Sequence, residues 1–205
     1  MAKIAILMLG APGSGKGTQA KFIMDTFNFI QLSTGDILRG LKKKPAESLT
    51  EAQKEAILTM DSGKLVSNAL VSQLLADEIA VSGGEKVIFD GFPRNQAQIS
   101  IFEELLKQNG FEVLIPVFLR VDDEILKGRM ETRIAEMKAL GQEPRADDTP
   151  ETFAIRLATF HQETDPVIDH YASYANFIRL DALADTKREE VWSQLESQLT
   201  GMLAQ

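Results

Sequence analysis

The residues best suited to chemistry in this sequence form a glycine-rich segment, GAPGSGKGT, at residues 10–18. The apolar run Ile4–Leu9 precedes it, and a helical pattern from Thr18 to Phe27 follows it. Glycines let successive backbone N–H groups point at one anion, and the free N–H groups of a starting helix reinforce them. Lys16 adds a mobile positive charge. Spacing and context therefore predict a phosphate-binding loop rather than a plain turn between strand and helix.

Composition narrows the classes of protein to consider. The chain has 205 residues, with 22 Lys and Arg against 30 Asp and Glu, a net charge of −8. This balance argues against broad binding to nucleic acid or anionic membranes. Without cysteine there is no disulfide framework and no thiolate metal site. No apolar run is long enough to span a bilayer, and the N-terminus lacks the layout of a signal peptide. We expect a soluble, cytoplasmic protein.

Strand and helix signals alternate along the chain. Helical stretches such as Ile99–Gln108 and Leu183–Leu203 separate near-continuous apolar runs, a pattern typical of a buried parallel sheet. The predicted strands are Ile4–Leu9, Phe29–Leu32, Lys86–Phe89, Val113–Val121 and Phe177–Leu180. Ligands of such sheets bind at the carboxyl ends of the strands. Gly10, Ser33 and Asp90 lie just past three of these ends, so we expect them to face one crevice.

Two segments interrupt the alternation. Residues 35–65 are mostly helical, and residues 130–148 are polar and rich in Arg and Glu. Both can be mobile flaps that keep water from a reacting phosphate, or ordinary helical hairpins on the surface. Their positions alone favour neither interpretation.

Residues 90–94, with the sequence DGFPR, add a second candidate motif. A carboxylate at the end of a buried strand is costly unless it meets a cation, so Asp90 is suited to orient magnesium through water. Arg94 offers a planar fork for phosphate oxygens. The alternative is a Gly-Pro turn with a surface arginine.

Four more arginines follow in a regular arrangement. Arg129 and Arg133 are spaced to share one face of a helix, and Arg145 and Arg156 bracket the residues DDTPETFAI and their flanking alanine. A single arginine of this kind would be assigned to a solvated surface. Four of them, after a phosphate-binding loop and DGFPR, predict a cationic phosphate site instead.

These motifs, together with STGDILR at residues 33–39 and GKLV at 63–66, resemble the adenylate kinases, a family of nucleoside monophosphate kinases. The likeness runs from Ile4 to Val191 and includes Gly17, where other phosphate-binding loops have Ser or Thr. It implies an α/β P-loop kinase core with a five-stranded parallel sheet, in one domain over residues 1–205. It also implies two inserted flaps, an AMP-binding flap at 34–66 and a short lid at 129–148. The implied reaction is Mg·ATP + AMP ⇌ 2 ADP.

The resemblance also implies a role for individual residues. The positive charges around the transferred phosphoryl group would come from Lys16, Arg94, Arg133, Arg145 and Arg156. The ATP site would comprise Gly13, Ser14, Gly15, Lys16, Gly17, Thr18, Arg129 and Arg133. The AMP site would comprise Thr34, Arg39, Lys64, Leu65, Val66, Gly91, Phe92, Pro93, Arg94, Gln98, Arg145 and Arg156. Asp147 and Asp148 would steady the lid arginines, and Asp90 would hold Mg²⁺ through water.

Two other functions remain as alternatives. The related uridylate/cytidylate kinases tend to carry Ala at the position of Thr34 and Asn at that of Gln98, so both positions here favour AMP. A non-catalytic nucleotide switch is the second alternative, although the Asn-Lys-x-Asp expected of a guanine-specific switch does not occur. We expect a monomer that binds neither nucleic acid nor membranes.

Several departures from the family pattern bear on details. The lid is short and has no cysteine quartet, so we expect a small helical lid without structural zinc. Ser67-Asn68 stands where the family commonly has Pro-Asp, which bears on the packing of the AMP-binding flap. Asp181-Ala182 stands where the family often has Asp-Gly, so the contact to the ATP base is not assigned. His161 and His170 lack ligand spacing and are expected to be structural or exposed, and Trp192 is expected to pack on the core.

Overall fold

The computed structural model describes residues 2–141, 149–184 and 186–204. Its centre is a parallel sheet of five strands in the order β2-β3-β1-β4-β5. The strands are β1 Lys3–Leu9, β2 Ile30–Ser33, β3 Lys86–Asp90, β4 Phe111–Arg120 and β5 Ile178–Asp181. The predicted parallel α/β sheet is therefore confirmed, with strand ends that differ from the prediction by at most two residues, as is usual when boundaries are inferred from a pattern.

Helices cover both faces of the sheet. They are α1 Lys16–Phe27, α2 Thr34–Leu41, α3 Glu51–Asp61, α4 Asn68–Ser82, α5 Gln96–Gln108, α6 Asp123–Ala139, α7 Pro150–Thr159, α8 Asp165–Tyr171 and α9 Arg188–Leu203. A short 3₁₀ helix, Ala46–Ser48, precedes α3, and a π-helical turn, Phe160–Thr164, joins α7 to α8. Within the described ranges, no helix is both long and apolar enough to cross a membrane.

The side chains of β1 divide the core into two halves. Ala5, Leu7 and Leu9 belong to a cluster on one face, and Ile6 and Met8 to a cluster on the other. This follows from the period of two along a strand, and it explains why the run has no polar gaps. Each such side chain contributes roughly 1.5–3 kcal/mol when fully buried. The central strand is thereby held from both sides, and so is the loop that follows it.

The last helix differs from its prediction. It begins at Arg188 rather than at Leu183, since the intervening residues make other backbone hydrogen bonds. The N–H of Ala182 donates to the carbonyl of Arg120 at 2.9 Å, which prolongs the sheet pairing, and the N–H of Leu183 donates to Thr186 Oγ1 at 3.0 Å. As expected, Trp192 packs on the core, against the rings of Phe22 and Phe27.

The first interrupting segment is mostly helical, as predicted. It comprises α2, the 3₁₀ helix and α3, and Thr50 begins α3 with a reciprocal capping box that involves Gln53. In the second segment, α6 continues without a break to Ala139 and anchors itself through the buried side chains of Leu126 and Met130. The rest of the predicted lid, from 142 to 148, lies outside the described residues.

Candidate active site

The carboxyl ends of the central strands open into one large cavity of about 620 Å³. Register alignment brings these ends level, since Asp90 of β3 pairs with Met8 of β1 and with Ser33 of β2. Gly10, which follows β1, Ser33 and Asp90 all line the cavity. The prediction that these three residues face one crevice is confirmed.

The glycine-rich loop wraps one end of this cavity. Gly10 has a φ of +147°, and a Cβ atom there would lie 2.7 Å from the carbonyl oxygen of Leu119 on β4. Only glycine fits both constraints. Gly15 caps the start of α1, whose first residues contribute their free N–H groups to the same space. The cavity is lined by Gly13, Gly15, Lys16, Gly17 and Thr18.

The ammonium group of Lys16 is held by the loop itself. Its Nζ donates to the carbonyl of Gly10 at 2.6 Å and to that of Ala11 at 3.0 Å. The pKa of Lys16 is lowered to about 8, because burial and, less strongly, the nearby Arg94 and Arg156 outweigh the opposite effect of the Asp90 carboxylate. A desolvated cation of this kind attracts an incoming phosphate more strongly than an exposed lysine does.

Helix α6 places two arginines on the opposite wall. Arg129 donates from Nη1 to the carbonyl of Ser14 at 3.0 Å, which ties the helix to the phosphate-binding loop, and burial lowers its pKa. Arg133, one turn further along, lines the same cavity. The predicted common face of this pair is confirmed. Ser14 itself is buried beneath the loop and contributes its backbone to this contact.

The Asp90 carboxylate interacts electrostatically with the loop lysine. The same carboxylate accepts a hydrogen bond from Gln31 Nε2 at 3.3 Å. No role of Gln31 was predicted from the sequence, although a polar residue within the otherwise apolar predicted strand Phe29–Leu32 is a usable signal. Within the part of the chain that the structure describes, no three or more His, Cys, Asp or Glu side chains cluster as metal ligands.

The loop after β3 is held by hydrogen bonds that join Thr34, Gly91 and Arg94. Gly91 has a φ of +86°, and a Cβ there would lie 2.5 Å from Thr34 Oγ1. That hydroxyl donates to the carbonyl of Gly91 at 3.0 Å, and Arg94 Nε donates to the same oxygen at 2.9 Å. Thr164, which the sequence did not single out, donates to the carbonyl of Arg94 at 2.8 Å. The backbone and side chain of Arg94 are thereby fixed.

A second, narrower cavity of about 50 Å³ lies between α2, the residues that follow α3 and the start of α5. Gln98 lies in its wall, and Arg39, Arg94 and Arg156 line both cavities. The remaining predicted AMP-site residues in its wall are Thr34, Lys64, Leu65, Val66 and Gly91. Arg39 also forms an ion pair with Asp36 at 2.6 Å. The three arginines that the cavities share form a cationic junction between the large space beside the glycine-rich loop and the small pocket.

Some predicted residues lie elsewhere. Phe92 is buried in the core, where its ring contacts that of Phe102, and it lines neither cavity, whereas Pro93 lines the large one. Arg145, Asp147 and Asp148 lie outside the described residues.

Both histidines lie on the surface, in contact with carboxylates. His161 Nδ1 contacts Asp165 at 2.9 Å and its Nε2 contacts Asp123, the first residue of α6, at 3.1 Å. The hydrogen bond to Asp165, followed by that to Asp123, raises the pKa of His161 against the effect of partial burial. His170 contacts Glu103 at 3.0 Å. The expectation of a structural or exposed role fits these positions.

Comparison with known proteins gives a consistent result. The family model described as "Adenylate kinase" matches residues 8–176. An adenylate kinase of Sinorhizobium medicae is 38% identical over 183 residues, which cover 89% of this chain and 93% of that protein. An adenylate kinase of Methylobacterium radiotolerans is 40% identical over 179 residues, 87% of this chain and 88% of that protein. One of Chelativorans sp. is 38% identical over 192 residues, covering 93% and 96%.

Proposed function

Because the chain belongs to the adenylate kinase family, we propose that it catalyses reversible transfer of a phosphoryl group from ATP to AMP, giving two ADP. The observation that carries this proposal is the set of cations around one cavity. Lys16, Arg133 and Arg156 line it with Arg94, between the phosphate-binding loop and the smaller pocket. A cleft with positive charge on both sides suits transfer between two phosphates better than storage of one nucleotide.

The proposed mechanism is electrostatic. Negative charge spreads over the oxygens of the migrating phosphoryl group, and fixed positive donors lower the barrier without covalent help from the protein. Lys16 would contact the migrating phosphoryl group from the ATP side. Arg94 and Arg156 would hold the acceptor phosphate at the junction of the two cavities. Arg133 would neutralise charge from the face of α6. The hydrogen bonds from Thr164 and to Gly91 hold Arg94 in place before substrate arrives.

The donor nucleotide would occupy the large cavity and the acceptor the small one. Loop residues 13–18 would bind the ATP phosphates, with Arg129 beside the ATP base. Arg39 would bind the AMP phosphate, and Thr34 and Gln98 would face the adenine of AMP. Arg145, Asp147 and Asp148 complete the proposed lid. Residues 34–66 and 129–148 would act as the two closing flaps.

We propose that Mg²⁺ binds together with ATP. A cation carried on phosphate oxygens needs few protein ligands, so the Asp90 carboxylate, one of the acidic side chains that line the large cavity, fits it. When bound, the ion neutralises phosphate charge. Asp90 would hold the water ligands of the ion, and Gln31 would orient Asp90. We further propose a monomer that acts in the cytoplasm, where ATP and AMP are supplied, with no nucleic-acid or membrane partner.

A coupled phosphotransfer assay with Mg·ATP and AMP, CMP, UMP or GMP tests the function directly. We expect kcat/KM to be largest for AMP. Preference for a pyrimidine nucleotide would keep the mechanism but overturn the acceptor. Absence of transfer to every acceptor, with ATP still bound, would assign the chain to the non-catalytic alternative.

A further inference from the structure

Three side-chain amides lie together behind the small cavity. Asn68 is the first residue of α4, Asn95 caps the start of α5, and Gln98 lies in the first turn of α5. Gln98 Nε2 lies 2.8 Å from Asn68 Oδ1, and Asn95 Nδ2 lies 3.3 Å from the same oxygen. Gln98 is almost completely buried, with 2% of its surface exposed. The orientation of the buried Gln98 amide therefore depends on its hydrogen-bond partners in the protein.

Two backbone N–H groups show which way round these amides stand. The N–H of Arg94 donates to Gln98 Oε1 at 2.6 Å, and the N–H of Gln98 donates to Asn95 Oδ1 at 3.0 Å. Because a backbone N–H is only a donor, each faces an oxygen. The NH₂ groups of Gln98 and Asn95 must then both point at Asn68, which can accept them only through Oδ1. The orientation of every amide in the cluster follows.

This orientation has a consequence for the wall of the small cavity. With one N–H bound to Asn68 and one lone pair bound to Arg94, Gln98 has one N–H donor and one acceptor lone pair left. A 6-aminopurine offers the complement on its edge, an acceptor at N1 and a donor at N6. A 6-oxopurine offers the reverse, a donor at N1 and an acceptor at O6. An amide that cannot turn over therefore distinguishes the two bases, whereas one that can turn over accommodates both.

We propose that Asn68 is a positioning residue that locks the Gln98 amide and so makes the acceptor pocket select AMP over IMP. The inference rests on the proposed function, since it assigns the small cavity to the acceptor base. Asn68 acts through Gln98 and makes no contact with the base. If Asn68 is lost, only Arg94 still orients the amide, and the unpaired NH₂ group gains freedom to rotate away from a neighbour that no longer accepts from it.

The test compares kcat/KM for AMP and for IMP, with Mg·ATP as donor, in the wild type and in Asn68→Leu. We expect the AMP/IMP ratio to fall about tenfold, which corresponds to about 1.4 kcal/mol. The change should appear in the KM for AMP, with KM for ATP unchanged. Asn68→Asp keeps an oxygen acceptor and should retain the wild-type ratio. Asn109→Leu, at the far end of α5, is the matched control, since its amide binds only the local carbonyl of Leu105 among the bonds described.

A second pair of variants separates positioning from packing. In a Gln98→Leu background, Asn68→Leu should leave the AMP/IMP ratio unchanged, because no amide remains to be oriented. An unchanged ratio in Asn68→Leu alone, or an equal fall in both backgrounds, would overturn the proposal. Asn68→Ala substitutes if the leucine variant does not fold, with the same expected fall. Wild-type protein that transfers nothing to AMP would instead refute the proposed function, so the two failures are distinguishable.

Discussion

The donor and acceptor sides of the cleft are built by different means. On the donor side, the contacts of Lys16 are local, and its strongest partners are five and six residues away in the chain. On the acceptor side, the key bonds join distant segments: Thr34 and Gly91 are 57 residues apart, and Asn68 and Gln98 are 30 apart. In the proposed sites, phosphate would be bound by backbone and glycine geometry, whereas the base pocket would depend on side chains that the fold must first bring together.

This difference has a general consequence. A phosphate site made from consecutive residues survives small shifts of the surrounding helices, because its N–H groups move together. A pocket assembled from α2, α4 and α5 changes shape when any one of them moves. Chemistry should therefore be robust to distant substitutions, and the choice of acceptor should be sensitive to them. The predictions below separate these two properties.

Replacing the loop lysine should have the largest effect. Lys16→Ala removes a charge used mainly in the transition state, and we expect kcat to fall about 10³-fold. The melting temperature should not fall, because the variant also removes a buried cation. The matched control is Lys21→Ala on the same helix, an exposed lysine paired with Asp25. Turnover of Lys16→Ala within tenfold of the wild type would refute the mechanism.

Gly91→Ala should damage the acceptor side selectively. The new Cβ would meet Thr34 Oγ1 at 2.5 Å in a backbone conformation with a φ of +86°, so Thr34 or the loop must move. We expect KM for AMP to rise more than about tenfold, KM for ATP to change less than about twofold, and stability to fall by about 2 kcal/mol. Gly110→Ala, at a φ of +73° in open space, is the control for backbone strain alone. Equal effects on both KM values would contradict the comparison.

The pH dependence tests the donor side in the absence of any mutation. The pKa of Lys16 is lowered to about 8, so the ammonium loses its proton above that pH. We expect kcat/KM for ATP to fall toward a tenfold loss per pH unit above about 8, and the residual activity of Lys16→Ala to lack this break. The stability of the folded state changes with pH in the opposite direction to the activity. Since the unfolded chain binds more protons between pH 8 and 10.5, this group makes the folded state more stable as pH rises through that window.

His161 should give the smallest effect. It joins Asp123, at the start of the arginine-bearing α6, to Asp165, and these carboxylates raise its pKa above 6.5. Its stabilising contribution is then complete below pH 6.5 and is lost as pH rises through the raised value. Because the side chain is 45% exposed, solvent screens the pairs. We expect His161→Gln to lower the melting temperature by about 1–2 °C at pH 5.5 and by less at pH 8.5. An equal loss at both values would indicate packing instead.

The features that could be predicted from the sequence are again the local ones, and those that could not are the long-range ones. Strands β1 to β5, the glycine-rich turn between β1 and α1 and the common face of Arg129 and Arg133 depend on local patterns, and the structure confirms them. The roles of Gln31, Thr164 and Asn68 depend on partners far away in the chain, which no periodicity encodes. The start of α9 was predicted five residues early, because helix propensity says nothing of the bond from Ala182 to Arg120.

The strand order has a consequence for how the chain is made. β1 leaves the ribosome first but lies between β3 and β4, so its first partner is complete only when Asp90 has been synthesised. At about 5–20 residues per second, that delay is on the order of 4–16 s. Throughout it, the apolar residues Ile4–Leu9 have no sheet to join, and the glycine-rich loop that follows them has no fixed base. The nucleotide site therefore cannot form while the chain is short, and the nascent strand is a natural target for chaperones.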